Sequence, residues 1–392
     1  MKLAQRVTQI TPSATMAVKR AADELKRQGM SVIDLGPGEP DFPTPEHIKR
    51  AAEEALAQNF TKYTAETGIW ELRDAIAQKY NRDYGTHYTA DNVLVTSGAK
   101  QALYNIAAAL FEPGDEVLIP IPYWVSFPEQ IKLVGAKPVF IHTAKNFQLS
   151  AELVKEHITP RTRALILNSP NNPAGTVLSR KDLQEIIELA QRHKLFVIYD
   201  ECYEKFLYEG KHVSAVEFDT EGVIAVSSAS KTYAMTGWRV GWSIAPKELT
   251  RAMATIQSHT TSHPTSISQR AALAAITGDQ SCVERMLAEY RRRRECVLDE
   301  LRAMDGLEFV VPQGAFFIFP DVSRFFNEKI QNSVELARYL LEEAHVAVVP
   351  GAAFGADGHV RISYATSLEQ LRKGLKRFRE GLAALRSLGV RA

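Results

Sequence analysis

Val223-Ile224-Ala225-Val226-Ser227-Ser228-Ala229-Ser230-Lys231-Thr232-Tyr233-Ala234-Met235-Thr236-Gly237-Trp238-Arg239 joins an apolar run to a lysine and sets an arginine eight residues after it. An unbroken apolar run of this kind reads as a strand buried on both faces, as in parallel sheets. Lys231 is thereby delivered at a strand end, with the fixed cation Arg239 close behind. A lysine amine attacks an aldehyde to form a Schiff base, and the planar fork of an arginine suits a phosphate dianion. Pyridoxal 5'-phosphate carries both groups.

A second part of the same chemistry lies upstream, where Leu195-Phe196-Val197-Ile198-Tyr199 ends in Asp200-Glu201-Cys202-Tyr203. A carboxylate at the end of a buried strand needs a cationic partner, because an unpaired buried charge is costly. The protonated pyridine nitrogen of the cofactor is such a partner, and Asp200 would keep the ring an electron sink. Tyr203 is placed to give its hydroxyl to the ring's phenolate oxygen. Ala164-Leu165-Ile166-Leu167 runs into Asn168-Ser169-Pro170-Asn171-Asn172-Pro173-Ala174-Gly175, which presents the Asn172 amide to the same oxygen. Cys202 is read as packing, because side chains alternate along a strand.

Working outward, 93–96, 116–119, 137–141, 164–168, 196–200 and 223–227 read as strands, with amphipathic helical stretches such as 100–110 and 180–192 between them. Alternation of this kind predicts an α/β fold, a mostly parallel sheet covered by helices on both faces. Ligands in such sheets sit beyond the carboxyl ends of the strands. After roughly residue 280 the pattern changes. A long charged helix over 282–304 leads to strand-like 309–311, 316–319, 346–349 and 360–364, with helices over 333–344 and from Leu368. These predict a smaller α+β domain.

Val93-Leu94-Val95-Thr96 followed by Ser97-Gly98-Ala99 supplies an anion site at a helix start, where free N–H groups and the dipole converge. Gly98 and Ala99 are small enough to let a phosphate approach the backbone, and Ser228 and Arg239 would close around it. Lys100 opposes the dipole of that helix by up to about 1 kcal/mol, which points to a second anion nearby.

Asparagine, aspartate, lysine and arginine in this order, each after a short apolar run, resemble the class I aminotransferases of the fold-type I pyridoxal-phosphate enzymes. The resemblance includes Gly36-Pro37-Gly38-Glu39-Pro40-Asp41-Phe42, Lys62-Tyr63-Thr64, Ser97-Gly98-Ala99-Lys100-Gln101, Pro122-Tyr123-Trp124 and Arg361-Ile362-Ser363-Tyr364-Ala365. Within the family the chain is most similar to bacterial aspartate aminotransferases of the gamma subgroup. The resemblance implies a seven-stranded sheet in a large domain at 48–295, with a discontinuous small domain at 1–47 and 296–392. It implies a homodimer with shared active sites, in which Tyr63 reaches the phosphate of the neighbouring subunit. It further implies that Arg361 clamps the substrate's α-carboxylate, assisted by the Gly38 backbone and Asn172, and that Trp124 stacks over the ring. Lys100 and Thr15 would meet the distal carboxylate of a dicarboxylic substrate.

The reaction so implied is transamination between L-aspartate or L-glutamate and 2-oxoglutarate or oxaloacetate. Alternatives within the fold are a prephenate, aromatic or alanine aminotransferase, or a lyase. Some prephenate-active members carry a lysine just before the Pro-Ser-Ala-Thr string, and Thr11 stands there. A non-catalytic amino acid sensor is a further alternative, though such regulators add a DNA-binding domain for which the residues before Gly36 leave no room. Fold alone does not choose among these.

Composition narrows the classes. With 45% apolar and 24% charged residues and a formal charge of +1, an ordinary globular enzyme is expected, with no pull towards nucleic acid or membrane. The run 291–294 reads as a solvated helix face. Cys202, Cys282 and Cys296 are too few for a disulfide framework or a metal site, which fits a reducing cytoplasm. No apolar signal core opens the chain.

Overall fold

In a computed structural model, which describes residues 1–218 and 221–389, the predicted alternation becomes one seven-stranded sheet. A short strand precedes it in the chain, β1 (Ile33–Asp34). The sheet then takes β2 (Val93–Thr96), β3 (Glu116–Ile121), β4 (Lys137–His142), β5 (Thr162–Asn168), β6 (Phe196–Asp200), β7 (Val223–Ser228) and β8 (Gly241–Ile244). Their order is β2-β8-β7-β6-β5-β3-β4. All run the same way except β8, which is antiparallel to both neighbours.

The middles of the central strands are apolar because both faces are covered. Leu165 and Leu167 face one core cluster while Ala164 and Ile166 face the other, and Val223 and Ala225 alternate likewise with Ile224 and Val226. Registers Asn168↔Asp200 and Asp200↔Val226 end β5, β6 and β7 nearly level, so the loops after them emerge side by side.

The reversed strand β8 escaped the sequence reading, and it matters for the site. Running against its neighbours, it begins where they end, and Gly241 pairs with both Thr96 and Ser228. Arg239, two residues earlier, is thereby brought to the start of the helix Ala99–Leu110. Gly241 has no room for a side chain, since a Cβ there would lie 2.4 Å from the Ala99 nitrogen.

The C-terminal part holds β9 (Phe317–Ile318), β10 (Val346–Ala347), β11 (Val349–Pro350) and β12 (Val360–Ser363). What reads as one strand over 346–349 is two, each in its own sheet: β10 pairs with β1, and β11 with β12. The strand expected at 309–311 does not form. Beyond Pro312, which has no N–H to donate, the Gln313 and Gly314 amides bond instead to Gly175 O at 2.8 and 2.9 Å. The β1–β10 pairing, and the packing of Ala22 and Val32 against Leu341 and Ala347, tie the N-terminal segment to the C-terminal part. That linkage supports the division into 48–295 and 1–47 with 296–392 as a proposal; residues 219–220 and 390–392 lie outside the described ones. Among the described residues no helix is long and apolar enough to cross a membrane.

Candidate active site

The helix Ala99–Leu110 begins at Gly98, whose φ of 85° suits glycine and which offers no side-chain cap. The first helical N–H groups have no carbonyl one turn earlier, so they point outward as donors. Arg239, itself left-handed at φ 57°, lies against this turn. Its Nη1 donates to Thr236 O at 2.8 Å and its Nη2 to Ser97 O at 3.3 Å. A Cβ on Gly98 would fall 2.4 Å from Arg239 Nη2, so backbone donors and guanidinium share one small concavity.

Lys231 sits in a single helical turn, Ala229–Thr232, directly after β7. Its Nζ donates to Gly38 O at 2.5 Å. Burial holds its pKa down to about 8. Facing it at the end of β6, Asp200 is buried and its pKa is pushed up by burial to about 6, although its Oδ1 accepts from the Cys202 amide at 3.1 Å. Asn168 ties the strand ends together: its Nδ2 donates to Asp200 O at 3.0 Å and its Oδ1 accepts from the Asn172 amide at 2.8 Å. Burial also pushes the Tyr203 phenol up, so its hydroxyl stays protonated and able to donate.

Arg361, on β12, is only 2% exposed. Nη1 donates to Asn172 Oδ1 at 2.9 Å and Nη2 to Gly36 O at 2.7 Å, while the guanidinium lies 4.4 Å from the Phe317 ring centre. Burial lowers its pKa to about 10, leaving it charged at neutral pH. Its Nε is buried without a hydrogen-bond partner, and no carboxylate among the described residues pairs with it. A buried cation so placed calls for an anion.

Lys231, Asp200, Asn172, Tyr203, Arg239 and Arg361 share one cavity of about 340 Å³, lined also by Ala99, Lys100, Thr15, Trp124 and Ser228. Lys100 Nζ lies 5.0 Å from the Trp124 ring centre, and burial followed by the neighbouring Arg239 lowers its pKa. Gly38 lines the cavity beside Arg361, where a Cβ would lie 3.7 Å from Nη2. Tyr63 stands apart, 89% exposed on the single chain.

Sequence reasoning missed some of the lining. Cys202 packs in the core as read, and it also borders the cavity with Sγ 3.5 Å from Ser228 Oγ. Ser230 and Lys19 also line it. Lys19 had a signal, being one helical turn after Thr15 on the same face. The loop at 36–45 is docked on the lysine block: Thr44 Oγ1 donates to Ala234 O at 2.7 Å, and Thr236 Oγ1 to Glu39 Oε2 at 2.7 Å.

A family model described as aminotransferase class I and II matches residues 30–378. The chain belongs to that family. This aminotransferase is 44% identical over 391 residues to an aspartate aminotransferase of Geobacillus stearothermophilus, with 98% of this chain and 100% of that one covered. It is 46% identical over 381 residues to an aspartate/prephenate aminotransferase of Thermus thermophilus, covering 96% and 97%. Among solved structures, the aspartate aminotransferase from Thermus thermophilus with maleate superposes with a TM-score of 0.94 at 46% identity, covering 97% of this chain and 100% of that one. The aspartate aminotransferase from Rhizobium meliloti gives 0.93 at 41% identity, covering 98% and 99%. The mostly parallel sheet of the aminotransferase is thus the family's fold, and the family implies pyridoxal phosphate.

Proposed function

We propose that this aminotransferase transfers the amino group between L-aspartate or L-glutamate and 2-oxoglutarate or oxaloacetate, with pyridoxal phosphate held on Lys231. The observation that carries this reading is the buried Arg361 with its unpartnered Nε, in one cavity with a second cation, Lys100. Two cations lining one cavity suit two carboxylates on one substrate. The relatives' names point the same way.

The residues fit the cofactor. The Gly98 turn with Arg239 and Ser228 suits its phosphate, and Asp200 suits its ring nitrogen. Tyr203 and Asn172 suit the phenolate oxygen, and Trp124 the ring face. When bound, the cofactor supplies an electron sink for the bond to the substrate's α carbon. With the cofactor bound, Lys231 would be placed to take the α proton; Arg361 and Asn172 would orient the α-carboxylate, and Lys100 with Thr15 the distal one. At pH 7 a lysine of pKa near 8 keeps about one-tenth of its amine free, against about one part in three thousand at its ordinary value. Capture of pyridoxal phosphate by the cofactor-free protein is therefore expected to rise about tenfold per pH unit up to about pH 8 and then level. A rise that continues to pH 10 would show an ordinary lysine.

Substrate choice is tested at Lys100. Lys100→Ala is expected to lower kcat/KM for aspartate and glutamate by about 1.5 to 3 kcal/mol, or one to two decades, and to spare alanine and phenylalanine. Arg361→Ala should penalise every amino acid alike. Equal losses on acidic and neutral substrates for Lys100→Ala would remove the distal-carboxylate role. A prephenate activity is a second reading, favoured by the Thermus relative's name. Thr11 stands at the discriminating position, where its amide and hydroxyl donate to Glu129 at 2.8 and 3.2 Å. A panel of oxo acids including prephenate, followed spectroscopically, separates the two.

The active sites are shared in this reading. Tyr63, 89% exposed on the single chain, is free to be covered by a second copy. Mixing Lys231→Ala subunits with Tyr63→Ala subunits is expected to restore activity, since one site of the heterodimer then has both residues. No recovery after verified exchange would place Tyr63 outside the partner's site.

A further inference from the structure

Residues 60–69 carry Tyr63 outside any helix or strand; Gln257 and Val95 hold the far end of this stretch at Glu66 O and Thr67 O, and residues 263–269 hold the part around Tyr63. The Thr64 amide donates to His263 Nε2 at 3.3 Å, and the rings of Tyr63 and His263 meet edge-on with centres 5.6 Å apart. Ser266 Oγ donates to Phe60 O at 2.9 Å, and Gln269 both donates to Thr64 Oγ1 at 3.1 Å and accepts from the Ile69 amide at 2.7 Å. Of these residues, His263 is the one that touches the tyrosine ring.

The state of its imidazole follows from its partners. Pro264 O, 2.7 Å from Nδ1, can only accept, so Nδ1 carries a proton. The Thr64 N–H can only donate, so Nε2 presents a lone pair. Both conditions hold together only in the neutral ring with its proton on Nδ1.

We propose that His263 is a positioning residue of the shared site: through this one tautomer it holds the Thr64 backbone and so aims Tyr63 at the cofactor phosphate of the other subunit. It rests on the reading that Tyr63 crosses the interface. The consequence is specific. Altering His263 in one subunit weakens the cofactor site of its partner and leaves its own site intact.

Two heterodimers of the full chain separate this from a purely structural role. In the first, one subunit carries Lys231→Ala together with His263→Ala and the other is wild type, so the surviving Lys231 depends on the altered loop. In the second, Lys231→Ala and His263→Ala are on different subunits, so the surviving Lys231 meets an unaltered loop. Both are loaded with pyridoxal phosphate, dialysed against inorganic phosphate, reduced with borohydride and scored by mass for cofactor on the Lys231 peptide.

Cofactor loss should be about three- to tenfold faster in the first heterodimer than in the second, the size expected for one lost hydrogen bond and a ring contact. His263→Gln, whose side-chain oxygen reaches the place of Nε2 and can accept from Thr64, should restore most of the retention in the first arrangement. Equal loss in the two arrangements, no loss in either, or no rescue by glutamine would overturn the proposal. Tyr63→Ala in the same two arrangements tests the shared site by itself. If Tyr63→Ala shows no dependence on arrangement, the crossing fails and the His263 proposal with it; if it does and His263→Ala does not, only the His263 proposal is overturned.

Discussion

Lys231→Ala is expected to lower turnover by on the order of four to six decades while leaving the fold intact, because nucleophile and base vanish together. In the structure the Lys231 amine has one short bond, to Gly38 O at 2.5 Å, and otherwise adds an amine that burial disfavours as a cation. Its folded pKa near 8 lies below the ordinary 10.5, so between those values the unfolded chain binds the proton more tightly. Stability of the cofactor-free protein should therefore rise as pH increases from about 8 towards 10.5, and this contribution disappears in Lys231→Ala. Thermal unfolding of both proteins across that range checks the sign. An unchanged turnover would remove the lysine from the chemistry altogether.

Asp200→Ala is the second large effect, expected to slow the chemical step by about two to four decades, the 3–5 kcal/mol typical of a buried ion pair stripped of one partner. Cofactor affinity should fall far less, since the phosphate cradle at Gly98 and Arg239 is untouched. Burial, only partly offset by the Cys202 hydrogen bonds and by Lys231, pushes the carboxyl up to about 6. The cofactor-free protein thus loses stability from this group as pH rises from about 4 to about 6, and a bound pyridinium would reverse that cost. Single-turnover rates beside equilibrium cofactor binding separate the two quantities. Normal single-turnover rates in Asp200→Ala would contradict the pyridinium role.

The lysine block was legible because its signal is local: an apolar run, a turn, an amine and a guanidinium within seventeen residues, Val223 to Arg239. Asp200 and Asn172 were legible for the same reason, each following a run buried on both faces. β8 was not, because its four residues have no pattern of their own and form a strand only by pairing with β2 and β7. Residues 309–311 show the opposite failure. Their apolar character is strand-like, but the chain beyond Pro312 finds its partner in the Gly175 carbonyl. Arg361 lies 130 residues after Lys231, and nothing local marks it as a ligand to a carboxylate; family resemblance supplied the role, and its buried, unpartnered Nε gives it a physical reason. Cys202 packs as read, in the core cluster, and its place beside the cavity had no local signal.

Loading the purified protein with pyridoxal phosphate, reducing it with borohydride and mapping its peptides by mass tests the central claim most directly. The cofactor is expected on Lys231 alone, in the peptide that follows Val223–Ser228. Label on any other lysine, or none at all, would contradict the account.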